Sequence, residues 1–311
     1  MTLIARLMTI ALFLPNAVLA EMPKVVTDIA PVHSLVADLM QGVGTPDLLI
    51  PPGSEPHDYA LRPSDARALQ DADLVVWVGP ALTPTLGDTI ARLARDAGQI
   101  ALLSLPDTVR YNYDDAAVFS AEDRGHEQGE HDGGIHDEGL DPHAWLDPAN
   151  AQVWVQVIAT RLARMDPANA TIYDTNAQLL QAALSDLTAR TQATMAPLKD
   201  KRFLVFHDAY QYFETRFGLR ATGALLESDA TQPSAARLAA LRAELERAPV
   251  ECLFTEAQVN DKVSQAVTGG AEIPTATLDP TGIDQGPGPQ LYLRLIEQMA
   301  DQFATCLAGN G

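Results

Sequence analysis

Between Asp166 and Pro197 the sequence carries one long helical pattern, and that pattern limits what the chain can become. Asp166-Pro167 opens it with a capping residue followed by a proline at the first helical position, and Pro197 stops it. Ile172, Asn176, Leu179, Ala183, Leu184 and Leu187 recur on one side of the helix. A helix of this length spans roughly 40 Å at 1.5 Å per residue, against a mean of about 11–12 residues in globular proteins. It is long enough to run along two domains and join them. A chain of 311 residues suits two domains, and its 47% hydrophobic content is enough to build their cores.

Strand and helix patterns alternate on both sides of this stretch. Before it, residues 24–29, 47–50, 74–78 and 100–105 read as strands, and residues 31–40, 85–97 and 148–165 as helices. A further helix starts at Arg62-Pro63-Ser64, with Ser64 as its expected cap. After it, strands are expected at 202–206, 223–226, 250–254 and 272–278. Helices are expected at 209–217, from Gln232 onward, at 261–267 and at 291–307. The run Leu74-Val75-Val76-Trp77-Val78 is apolar throughout, as in a strand covered on both faces of a parallel sheet. Pro63-Ser64-Asp65-Ala66-Arg67 and Pro233-Ser234-Ala235-Ala236-Arg237 both start helices that precede an apolar strand. The halves read as weak repeats of one unit. The expected fold is α/β, with two similar domains of mostly parallel sheet, 21–165 and 198–311, bridged by the helix at 166–197.

Residues 1–20 read as an export signal. Arg6 precedes a short apolar run at 7–14, and Val18-Leu19-Ala20 offers small-residue spacing for cleavage before Glu21. The run is too short for a membrane span, which needs about 20 apolar residues. No Cys follows the cut, so no lipid anchor is indicated. Without Arg6 the chain keeps 20 basic and 41 acidic residues, a net charge of −21. Such a chain repels nucleic acid and anionic membranes, and it attracts cations only diffusely. The two cysteines, Cys252 and Cys306, are expected to pair in an oxidising compartment. The alternative, a thiolate metal site, lacks the paired-Cys spacing of zinc modules.

Three histidines carry the chemistry. His57 lies in Gly53-Ser54-Glu55-Pro56-His57-Asp58-Tyr59, His143 in Leu140-Asp141-Pro142-His143-Ala144-Trp145-Leu146-Asp147-Pro148, and His207 in Val205-Phe206-His207-Asp208-Ala209-Tyr210. Each falls where a strand or a stiff loop ends, and ligands of open α/β sheets sit outside the C-terminal ends of strands. Two come from the first half and one from the second, so a site between the halves follows. Asp279 also ends a strand pattern and can face that site. Three imidazoles and a carboxylate make a donor set that suits Zn²⁺ better than manganese, which prefers oxygen. Asp58, Asp208 and Glu256 are available to orient the ring nitrogens. His33, in the first turn of a helix, reads as structural or solvated. His126, His131 and His136 recur at steps of five in an acidic, glycine-bearing loop at 123–139. That loop reads either as a weak collector of divalent metal or as a solvated insertion.

These segments, with Leu61-Arg62-Pro63-Ser64-Asp65, Gln211-Tyr212-Phe213 and Thr277-Leu278-Asp279-Pro280, resemble the zinc-binding proteins of bacterial ABC importers, the ZnuA type. The resemblance runs in the same order over nearly all of the mature chain. It implies a metal in the interdomain cleft, held by His57, His143 and His207. The manganese branch of that superfamily typically has Glu at the third position, so His207 implies zinc. The His-bearing loop and the Cys pair are similar to those of the zinc branch. Some relatives place Glu immediately before the first His. Here Pro56 stands there and Glu55 is one step away, so the fourth ligand is Asp279, water or Glu55. The resemblance implies a periplasmic monomer that carries zinc to an integral-membrane ABC permease with its cytoplasmic ATPase. Two rivals remain at this point. One is a zinc hydrolase, although neither HExxH nor GxSxG occurs. The other is a zinc chaperone or adhesin without a transporter.

Overall fold

The computed structural model describes residues 22–113, 118–119, 139–226, 233–256, 267–268 and 272–309. The signal segment, the loop histidines 126, 131 and 136, and the helix read at 261–267 up to residue 266 lie outside the described residues. The elements of the first half are β1 (Val25–Thr27), α1 (Ala30–Leu39), β2 (Asp47–Leu48), α2 (Pro63–Asp71), β3 (Leu74–Trp77), α3 (Pro84–Leu93), β4 (Gly98–Ala101) and α4 (Pro148–Met165). The long helix α5 (Ala170–Met195) follows. The second half holds β5 (Phe203–His207), α6 (Gln211–Phe217), β6 (Gly223–Leu226), α7 (Ala235–Arg247), β7 (Cys252–Glu256), β8 (Thr275–Leu278) and α8 (Leu291–Leu307).

The strands form two four-stranded sheets, ordered β2-β1-β3-β4 and β6-β5-β7-β8, and every pairing is parallel. The α/β repeat expected from the two Pro-Ser helix starts therefore appears as one topology used twice. In each sheet the strand order reverses between the first and third strands, and the crevice beyond their C-terminal ends is the natural place for a ligand. The two crevices are finished differently. Behind β1 and β3, the fully buried Asp28 accepts the Ile29 N–H at 2.8 Å and the Val78 N–H at 2.7 Å. Desolvation pushes its carboxyl up to about 7. Behind β5 and β7 stand His207 and Glu256, the last residues of their strands.

Helix α5 has 26 residues, about 39 Å of rise. It packs against α1 and α4 of the first half and against α6 and α8 of the second. Its buried stripe is Tyr173, Ala177, Leu180, Leu184, Leu187, Thr191 and Met195. The stripe read from the sequence is rotated by about one residue, since Ile172 and Leu179 are 37% and 67% exposed. Polar anchors set the rotation. The Tyr173 hydroxyl donates to Asp166 Oδ2 at 3.0 Å, and Asn176 Nδ2 reaches the carbonyls of Leu39 and Gln41, both at 2.9 Å. The α2 cap also differs from expectation. Pro63 is already the first helical residue, and Asp65, not Ser64, folds back to accept the Arg62 N–H at 2.8 Å. At the matching start of α7 the third residue of the motif is Ala235, which has no such oxygen. There Ser234 caps the helix by accepting the Arg237 N–H at 3.1 Å.

One apolar core runs through both halves. It includes Val25, Leu35 and Val75 from the first, Leu184 from α5, and Phe203, Phe254 and Phe303 from the second. A smaller cluster of Leu204, Phe206, Leu225, Leu241 and Leu253 fills the other face of the second sheet. The period-two alternation along β5 sends Phe203 and Val205 to one core and Leu204 and Phe206 to the other. Cys252 and Cys306 form a disulfide that ties β7 to α8. Closing a loop of this size contributes roughly 4 kcal/mol on the chain-entropy model. Replacing both cysteines by serine should lower the unfolding free energy by about that amount, measured by urea titration.

His33 proves structural. It is 5% exposed, and its Nε2 donates to the Pro46 carbonyl at 3.1 Å, tying α1 to the segment that leads into β2. Burial lowers its pKa below the usual value. The unfolded chain then takes up the proton at a higher pH than the folded protein. The stability this group contributes is intact above about pH 6.5 and is lost as pH falls below it. His33→Gln should flatten the fall in melting temperature between pH 7.5 and 5 relative to the parent protein.

Candidate metal centre

The segment carrying His143 is organised by its neighbours in sequence. Asp141 Oδ1 accepts the His143 backbone N–H at 2.9 Å and the ring Nδ1–H at 2.7 Å. That is an Asx turn whose carboxylate also holds the side chain two residues on. A single 3-10 turn, Ala144–Leu146, follows, and Asp147 then caps α4 by accepting the Ala149 N–H at 2.8 Å. His143, Asp141 and Asp147 are 3%, 0% and 1% exposed.

His207 ends β5 and is fully buried. Its Nδ1 donates to Glu256 Oε1 at 2.5 Å, and the same oxygen accepts the Tyr210 hydroxyl at 2.9 Å. A carboxylate accepts and does not donate, so both imidazoles carry their proton on Nδ1 and present Nε2 as the lone-pair atom. This is the arrangement by which outer carboxylates orient and strengthen histidine ligands. The sequence offers Glu256 for this task, and it does it. Asp141 does the same for His143, and sequence reasoning misses it. The available signal was the two-residue spacing in Asp141-Pro142-His143.

The rings of His143 and His207 lie 5.3 Å apart at an interplanar angle of 60°. Two imidazoles bonded to one tetrahedral zinc at about 2.0–2.1 Å have centres about 5 Å apart, so this pair already has the spacing. His57 approaches from the loop after β2, half-buried, with its ring 6.2 Å from that of His143. It stands about 1 Å farther out than a shared zinc requires. Accordingly, among the described residues no group of three or more His, Cys, Asp or Glu side chains converges tightly enough, as it stands, to hold a metal ion.

The His57 loop is braced at both ends. Glu55 Oε1 accepts the His57 N–H at 3.0 Å, and the Tyr59 hydroxyl donates to the buried Asp65 at 2.9 Å. Asp279 lies just after β8. Its Oδ1 accepts the N–H groups of Thr281 at 3.0 Å and Gly282 at 2.8 Å and the Thr281 hydroxyl at 3.3 Å, while Oδ2 accepts the Ile283 N–H at 2.6 Å. The carboxylate therefore shapes its own turn. That turn reaches the histidines through Trp145, whose indole N–H donates to the Pro280 carbonyl at 2.7 Å and whose ring is 5.1 Å from that of His143.

The ZnuA family, described as the periplasmic component A of a zinc-uptake complex, matches residues 25–306. The chain belongs to the ZnuA family. It is 42% identical to the high-affinity zinc uptake system protein ZnuA of Paracoccus denitrificans, over 94% of each chain. It is 35% identical to the protein of the same name from Brucella suis, over 96% of this chain and 98% of that one. Among solved structures, the periplasmic zinc-binding protein TroA of Treponema pallidum superposes with a TM-score of 0.76 at 21% identity, over 92% of this chain and 99% of that one. At that identity the likeness concerns the fold. Among the described residues, no helix of this ZnuA-family chain is long and apolar enough to cross a membrane.

The carboxylates on the rings generate a prediction. Asp141→Asn and Glu256→Gln should each weaken zinc binding roughly 10- to 100-fold, measured by competition with a chelator of known affinity.

Proposed function

We propose that the protein is the periplasmic zinc-binding component of a zinc import system, and that it holds one Zn²⁺ through Nε2 of His57, His143 and His207. The observation that carries this reading is the buried pair His143 and His207, 5.3 Å apart, each with a carboxylate on Nδ1. Such a pair needs only a third imidazole from the His57 loop to become a three-histidine site. In the fourth position we place Asp279 Oδ2, which accepts one of the four hydrogen bonds made to that carboxylate. Water is the second choice and Glu55 the third.

The partner is an ABC transporter, with an integral-membrane permease and a cytoplasmic ATPase, and the protein works as a monomer after cleavage before Glu21. The division into 21–165, a linking helix at 166–197, and 198–311 belongs to the same proposal. So does the loop bearing His126, His131 and His136, as a low-affinity collector of zinc. Family membership places the chain among binding proteins and removes the hydrolase reading. The helix α5 and the continuous core favour a small domain motion on binding, because a large one would separate side chains packed at close contact.

The test is a competitive Zn²⁺ and Mn²⁺ titration of the metal-stripped mature protein beside His207→Ala. Zinc should bind far more tightly than manganese. The substitution should cost more than the roughly 10- to 100-fold expected for an outer carboxylate. Affinity should also fall as pH drops through about 6.5, because the ligating imidazoles must be neutral. Zinc binding unchanged by His207→Ala would overturn the ligand set, and equal manganese binding would overturn the choice of metal.

A further inference from the structure

His143 belongs in chain order to the first half, where Tyr111 and Asn150 bond the backbone of Asp141 and Ala144, yet the second half also holds the segment that carries it. Tyr212, from α6, donates its hydroxyl to the Asp141 carbonyl at 2.8 Å and accepts the Tyr111 N–H at 3.0 Å. Tyr292, from α8, donates to the Trp145 carbonyl at 2.7 Å. Two hydroxyls thus grip the backbone two residues before His143 and two residues after it. Both tyrosines are fully buried, and burial pushes both phenols well above their ordinary pKa, so they remain donors throughout the range in which the protein works.

The main-chain anchor complements the ring anchor. Asp141 fixes the direction of the His143 imidazole relative to its own backbone. That does not decide where the backbone lies relative to β5 and His207. We infer that Tyr212 and Tyr292 are positioning residues for the metal: by holding the carbonyls of Asp141 and Trp145 they set the distance between His143 and His207. The inference rests on the ligand reading proposed above. Metal–ligand distances tolerate deviations of only about 0.2 Å, so a slight relaxation of the 141–145 segment is enough to weaken binding. A tyrosine that merely filled core volume would act through its ring and not through its hydroxyl. Tyr173 supplies the control, because it is equally buried but donates to Asp166 at the far, C-terminal end of α4, in a contact that includes neither histidine.

The experiment uses the mature protein with Tyr212→Phe, Tyr292→Phe, the double variant, Tyr173→Phe and His207→Ala. Zinc affinity is measured by chelator competition, the site geometry by the visible absorption bands of the Co²⁺-loaded protein, and metal-free stability by urea unfolding. Each single site variant should raise the zinc Kd about 10-fold, the order seen for outer residues that orient ligands. The double variant should lose more and shift the cobalt bands. Tyr173→Phe should lower stability while leaving zinc affinity and cobalt bands as in the parent. Parental affinity and bands in Tyr212→Phe and Tyr292→Phe, with zinc weakened by His207→Ala, would overturn this inference and leave the ligand set standing. A loss of affinity shared equally by Tyr173→Phe, with unchanged cobalt bands, would also overturn it, as a general packing effect. If His207→Ala leaves zinc binding intact, the ligand set fails and the positioning role fails with it.

Discussion

The docking of residues 141–147 against the second half is the constraint on which the rest of the site depends. Its strongest contact is the bidentate pair between Arg216 and Asp147, with Nε to Oδ1 at 2.6 Å and Nη2 to Oδ2 at 2.7 Å. Asp147 is 1% exposed and also caps α4, so one carboxylate satisfies a helix end and an arginine from α6 together. Removing Arg216 would leave the buried Asp147 carboxylate without its charged partner. Around this pair the Tyr212, Tyr292 and Trp145 hydrogen bonds all cross between the same two halves of the chain. His143 is delivered to His207 by a segment with little freedom to move.

The remaining architecture follows from that junction. Helix α5 lies along both halves, and α8 packs on α1 as well as on β8, with the Tyr292 N–H donating to Ser34 Oγ at 3.0 Å. The start of α8 is pinned the same way, where Asp38 Oδ2 accepts the N–H of Gln290, a non-glycine residue at φ 63°. The disulfide then fastens the far end of α8 to β7, the strand that ends in Glu256. Two of the three proposed ligands thus sit on well-tied structure. The third, His57, sits on a braced loop that still has about 1 Å to travel, judged by zinc–imidazole geometry.

The duplicated sheet shows how one topology serves two ends. Behind β1 and β3, Asp28 closes the crevice by accepting two backbone N–H groups. Behind β5 and β7, an imidazole and its carboxylate take the corresponding place. Much of this was legible in the sequence. The strand–helix alternation gave the α/β class and nearly every element, because apolar periodicity is a local property. The three histidine segments stood out because each carries His at the end of a strand or stiff loop. The face of α5 was not legible. Ile172 and Leu179 are as apolar as their buried neighbours, and only the anchors made by Tyr173 and Asn176 decide which side turns inward. The α2 cap was not legible for a similar reason, since Ser64 and Asp65 both have capping chemistry and the backbone geometry selects Asp65.

The sequence by itself determined the rhythm of elements, the long central helix, the acidic charge, the pairing of two lone cysteines and the residue types needed for zinc. These depend on local propensity, composition and donor chemistry, which neighbouring residues largely set. Only the tertiary structure decided that Glu256 orients the His207 imidazole, that His143 and His207 stand at metal-sharing distance while His57 stands farther off, and that the second half helps hold the first half's histidine segment. Those outcomes depend on contacts between residues about 50 to 150 positions apart, as in His207 with Glu256 and Trp145 with Tyr292. No local pattern records such distances, because closing a long loop adds only slowly to its entropy cost and distant partners are nearly as reachable as near ones.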